Sequence, residues 1–300
     1  MTTDPFQSTG AAHGDAPSVF AATGAWGLWV HVALFALGSL ASMFVVLVAA
    51  TVVLFLAVGA DPGALAEAAL HPWFLGFTSI AQILGIGLVS AALAVRFRSA
   101  SPEPRPTLGH VAGLRGSAWP WYAVALLGGL TVWTFPSWLA AELTRLIGWE
   151  STVTAVTEAL TGPLTATWPL VLAVVVSAPI AEELIFRGYL FTVAERAMSG
   201  VAAFVFTTVV FAAYHLDPVH VLALLPTAAF FGVLRWRSGS IGPPMVAHFV
   251  NNGIGVVAAM LAGEVGEPVD ELSVLPALAG LAFTAALTAV VWWGSERAPR

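Results

Sequence analysis

Apolar residues in this chain come in long runs rather than in alternation, and the polar residues that interrupt them gather in a few places. A helix needs about 20 mostly apolar residues to cross a hydrocarbon core. Eight such runs are predicted: within 29–60, within 73–95, 119–140, one beginning near Trp168, 201–215, 219–234, 244–262 and 275–293. The fifth and sixth are the shortest. The fourth is expected to continue past its charged residues as one helix over about 168–198, because that continuation has no proline and only Gly188 as a weak breaker. The pattern predicts an all-α polytopic membrane helix bundle of about eight transmembrane helices.

Composition sharpens this. The 300 residues are 58% hydrophobic and only 9% charged, where a soluble domain carries roughly 25% charged residues. A soluble protein is excluded. The absence of cysteine excludes disulfides, thiolate chemistry and cysteine-ligated zinc or iron–sulfur sites. A net charge of −6, spread over loops, gives no reason to expect nucleic acid as a partner. Residues 1–24 are polar and lack any lysine or arginine, so they are expected to form a disordered cytoplasmic tail rather than a signal peptide. Residues 25–300 then form one membrane domain.

With the N-terminus cytoplasmic, ten of the 11 basic residues, all arginine, fall on the inside, Arg187 counted among them, and only Arg145 falls outside. That asymmetry predicts both termini on the cytoplasmic side of the plasma membrane. The mixed segment 141–165 is expected to be either an amphipathic helix at the outer surface or a packed loop. His220, after Asp217-Pro218, is expected in a short turn at the outer surface.

Candidate chemistry lies where charge interrupts the apolar runs. Glu182, Glu183 and Arg187 follow directly on the run 168–176, and charges at bilayer depth are a functional signal. On a helix, Glu183 and Arg187 are four residues apart and can pair, while Glu182 is rotated about 100° away and left to face something else. Phe211 and His215 are four apart in the fifth run, as are His248 and Asn252 in the seventh. Any one of these has a bland reading as a bond between neighbouring helices. Together they contrast with the first three runs, which hold one histidine, His31, and no acid. A carboxylate and an imidazole can share a water and take its proton as it attacks a carbonyl. A second histidine with an amide four residues on can donate to the developing oxyanion.

Glu-Glu-x-x-x-Arg at Glu182–Arg187, Phe-x-x-x-His at Phe211–His215 and His-x-x-x-Asn at His248–Asn252 resemble, in order, the motifs of the CAAX protease and bacteriocin-processing (CPBP, or Abi) family. Phe231-Gly232 and Ser238–Ile241 fit its third motif as well. The resemblance places a catalytic core at about 165–256 and implies an eight-helix intramembrane endopeptidase of the glutamate type. In that reading Glu182 and His215 activate water, His248 and Asn252 form the oxyanion hole, and Glu183 and Arg187 support the site. The implied partner is a peptide or protein substrate at the membrane, CAAX-like or bacteriocin-type. No cofactor is expected. The variant is a metallo-endopeptidase with zinc on Glu182, His215 and His248, although the His-Glu-x-x-His signature is absent. Two other classes stand beside it. One is an ion- or proton-coupled transporter, against which the lack of an internal repeat argues, and the other a non-catalytic membrane or immunity scaffold.

Overall fold

Inside a bilayer apolar surface does not drive helices together, so they are matched by close packing and by pairing of their few polar groups. The computed structural model describes residues 25–101, 104–149, 151–265 and 273–297, which are helical almost throughout, with no strand among them. The expected tail over 1–24, most of the acidic segment 264–271 and Arg300 lie outside the described residues.

In chain order the helices are α1 (Ala25–Val58), α2 (Pro62–Leu70), α3 (Pro72–Ala100), α4 (Leu108–Val111), α5 (Trp119–Gly129), α6 (Thr134–Ile147) and α7 (Thr152–Leu160). There follow α8 (Leu164–Ala197), α9 (Gly200–Ala213), α10 (Pro218–Ser238), α11 (Gly242–Val265) and α12 (Val274–Arg297). Among the described residues seven stretches are long and apolar enough to cross a membrane, α5 and α6 acting together as one of them. The remaining predicted run, the fifth, is α9, with 14 residues. Its start is set by a side chain. Ser199 caps its start by accepting from Ala202 N–H, and four residues after its end Asp217 already caps α10.

Other boundaries also moved for local reasons. The third run continues to Ile147, where Gly148 at φ 69° closes the helix in the left-handed conformation. The mixed segment after it contains α7, whose Leu160 packs with Val256 and Ala259 of α11. The short α2 was not predicted. Asp61 caps it through Ala64 N–H and Pro62 begins it.

The centre of the bundle is α8, 34 residues long with Glu182 near its middle. It does not break at Gly188, as the sequence suggested. It does change its winding twice, becoming π-helical over Leu172–Ser177 and again over Glu183–Leu190, with ordinary α-helix between. Pro179 accounts for the first change. It has no N–H to donate, and Ala178 N–H reaches back to Ala173 O, five residues earlier, which leaves Val174 O without an intrahelical donor.

Three packed clusters surround this helix. Phe35, Phe97, Phe186, Tyr189 and Phe211 join α1, α3 and α9 to its second half. Trp121, Phe230, Phe231 and Ala247 join α5, α10 and α11. Leu170 joins its first half to α7 and α11. A buried hydrogen bond between His31 and the Tyr189 hydroxyl also ties α1 to α8. Gly188 sits against the chain just after α4, where a Cβ would lie 2.5 Å from Ala112 O and 2.9 Å from its carbon. Backbone on both sides cannot rotate away. Gly188→Ala is therefore expected to destabilise by about 1–3 kcal/mol through overpacking, read as a lowered thermal midpoint in detergent. Substitution at Gly87, which meets nothing within 4 Å, should leave the midpoint nearly unchanged.

Candidate active site

Carboxylate, guanidinium and imidazole groups that the sequence separates by up to 65 residues meet beside the middle of α8. Glu183 is fully buried, and its Oε1 accepts from Arg187 Nη1 at 3.0 Å, one turn on along the same helix. Arg187, itself 1% exposed, also donates from Nη2 to Ala228 O of α10 at 3.2 Å. Its guanidinium lies 4.0 Å from the centroid of Phe211 and 5.5 Å from that of Phe231. A cation this deep is tolerable only because charge, carbonyl and aromatic faces all answer it. Arg187 was counted with the inside loops in the sequence reading. It lies within a span, so it carries no information on orientation.

The same Glu183 Oε1 contacts His248 Nδ1 at 3.0 Å, and Phe231 lies over the His248 ring at 4.9 Å and 32°. A carboxylate held by arginine only accepts, so Nδ1 carries the proton. This leaves Nε2 facing Glu182, whose Oε2 is 3.8 Å away. Glu182 is the less enclosed of the two acids, its side chain 17% exposed against 0% for Glu183. The adjacent carboxylates are thus divided as their helical rotation predicted, Glu183 into the core and Glu182 toward open space.

Asn252, one turn after His248, donates from Nδ2 to Val174 O at 2.9 Å, the carbonyl left over by Pro179, and accepts from Asn251 on its oxygen. Its second N–H is left for another acceptor. His215 lies just past the end of α9, and its Nδ1 is 3.0 Å from Phe211 O. A carbonyl only accepts, so the proton is on Nδ1 and Nε2 keeps its lone pair. Among the described residues no ion pair within 4.0 Å joins His215 to Glu182. His215 is linked to the buried cluster through Phe211, whose ring lies 5.2 Å from its own and 6.2 Å from that of His248.

The zinc variant would draw on Glu182, His215 and His248. Among the described residues no three of His, Cys, Asp and Glu converge as a metal would require. Nδ1 of His248 is engaged by Glu183, and Nδ1 of His215 by a carbonyl, which leaves Nε2 of each ring available, as such partners do for metal-bound and metal-free imidazoles alike.

Sequence reasoning missed several supporting groups. Buried Arg235 donates from Nε to Arg187 O at 2.6 Å, answering a carbonyl of the second π-helical stretch. Its position in the last turn of α10 reads simply as a charge at a helix end. His220 belongs to the first turn of α10 rather than to a turn, with its ring 4.7 Å from that of His215. Buried Asp217 accepts from Val219 N–H and His220 N–H, as Asp-Pro before a helix suggests, and also from Ser151 and Thr152, which nothing in the sequence links to it. Although burial pushes its carboxyl up, those backbone and hydroxyl donors hold it well below the usual carboxylate range.

Residues 164–254 match the family described as Type II CAAX prenyl endopeptidase Rce1-like. No curated protein and no solved structure matches the chain. The matched segment runs from the start of α8 into α11 and contains Glu182, Glu183, Arg187, His215, His248 and Asn252. Carried on a bundle of membrane-length helices, this segment, less than half of the chain, is similar to the Rce1-like CAAX prenyl endopeptidases.

Proposed function

We propose that this protein cleaves a peptide bond of a membrane-associated peptide by a glutamate-dependent mechanism without metal. Glu182 and His215 Nε2 take the proton of a water as its oxygen attacks the scissile carbonyl. His248, entering the step protonated at both ring nitrogens and leaving it so, donates from Nε2 to the resulting oxyanion, and Asn252 donates its second N–H. The proton then passes to the departing amine. Glu183 and Arg187 hold His248 in orientation without touching substrate. The observation that carries this reading is the division of labour between adjacent acids, one buried and bonded to Arg187 and His248, the other partly open beside the same imidazole. The family description makes a prenylated C-terminal peptide the first substrate to try, with bacteriocin-type peptides next.

The purified protein in detergent should cleave a fluorogenic prenylated peptide or a member of a membrane-peptide library. Glu182→Gln should lower kcat by about 10²–10⁴-fold with the thermal midpoint held, and a chelator should change nothing. Full activity in Glu182→Gln would refute the assignment of the base. Loss of activity on chelation would return the zinc variant.

Glu183→Gln and Arg187→Met should each destabilise by about 3–5 kcal/mol, since each leaves the other charge buried without its partner. The double variant should cost clearly less than the sum, and thermal or denaturant unfolding checks this. Additive losses would mean the pair is not coupled.

The arginines at the span ends and in the connections, Arg187 set aside, support cytoplasmic termini. Because the chain has no cysteine, single cysteines report topology cleanly. Glu67→Cys should react with an impermeant maleimide on intact cells, and Arg105→Cys only after permeabilisation. The reverse pattern would invert the orientation.

A further inference from the structure

The turn that carries His215 is bound more tightly than a connection of four residues between two helices requires. Backbone N–H groups of His215 and Leu216 close onto Ala212 O and Ala213 O, each at 3.2 Å. Leu216 then takes φ 55°, the one positive φ of a non-glycine residue among the described residues, with its side chain 68% exposed. An L residue resists that conformation, and no packing of an exposed leucine offsets the cost, so the neighbours must impose it. The neighbour that does so is Asp217. Pro218 keeps Asp217 extended, at φ −120° and ψ 112°.

From there the two carboxylate oxygens work in opposite directions. Oδ1 accepts from Val219 N–H at 3.1 Å and His220 N–H at 3.0 Å, which fixes the first turn of α10 and with it the His220 ring against His215. Oδ2 accepts from Ser151 Oγ at 2.8 Å, Thr152 N–H at 2.6 Å and Thr152 Oγ1 at 2.9 Å, all at the start of α7. A helix cap needs only the first set. The second set, from residues 65 and 66 positions away in sequence, anchors the turn to a separate element.

We propose that Asp217 is a positioning residue for His215. By binding the start of α7 through one oxygen and capping α10 through the other, it holds the strained turn so that the His215 imidazole presents Nε2 to the site while Nδ1 donates to Phe211 O. The inference rests on the reading of His215 as a water-activating group, but its geometrical content can be tested without turnover.

Asp217→Asn separates the two roles. The amide oxygen still caps α10, whereas the amide nitrogen cannot accept from Ser151 or Thr152. The double variant Ser151→Ala/Thr152→Val leaves the α10 cap intact and removes two of the three donors from the α7 side, so it serves if Asp217→Asn fails to fold. Two quantities are measured in the full-length protein in detergent. One is the rate at which diethyl pyrocarbonate modifies His215, read by peptide mass spectrometry with His248 as internal reference. The other is kcat and KM on a cleaved peptide.

The expected result is several-fold faster modification of His215 with His248 unchanged. It is accompanied by a fall in kcat of about 10- to 100-fold, the scale of a displaced catalytic group, at nearly constant KM. Unchanged His215 reactivity in both variants would overturn the proposal, as would equal acceleration at His215 and His248, which marks general loosening. If the wild-type protein cleaves nothing, the peptidase reading fails, yet the modification rates still decide whether Asp217 holds His215.

Discussion

A charged pair buried in the middle of a membrane helix constrains the rest of this structure. Isolated charges are costly at that depth, and Glu183 and Arg187 lie in α8 with almost no exposure. The arginine can be kept there only if its remaining donors and its cationic face are answered, and Ala228 O, Phe211 and Phe231 do so from α9 and α10. The glutamate keeps a second bond for His248 of α11. One ion pair therefore dictates how three other helices approach α8. It also fixes the tautomer of the imidazole that faces Glu182.

The backbone of α8 is solved by the same kind of accounting. A proline and two π-helical stretches leave carbonyls without intrahelical donors, and in a bilayer no water is on hand to replace them. Asn252 answers Val174 O and Arg235 answers Arg187 O. Both answers come from helices that also carry or frame the site. The irregular winding of α8 is thus tied to where Asn252 sits, and the amide is held in place before any substrate arrives. The His215 turn follows the same logic, with a strained residue stabilised by a carboxylate shared between two elements.

The helical bundle, the continuity of α8 through Gly188 and the pairing of Glu183 with Arg187 were legible in the chain. Each depends on periodicity along a single helix, where four residues make about one turn. The resemblance to a CAAX protease was legible too, because the motif residues stand in unbroken local spacing. So was the short α9, expected over 201–215 and found over Gly200–Ala213. The division of the third span was not, because it depends on a turn at 130–133, a local signal that an apolar run hides.

By itself the sequence determined that this is a membrane bundle with its polar chemistry concentrated on α8, α9 and α11, since composition and local spacing are properties of the chain alone. Only the tertiary structure decided which imidazole nitrogen carries its proton, and that Ser151 and Thr152 meet Asp217 from 66 and 65 residues away. Those outcomes depend on which helices become neighbours. In a bilayer that choice is made by close packing and by the pairing of scarce polar groups, neither of which has a period that can be read along the chain.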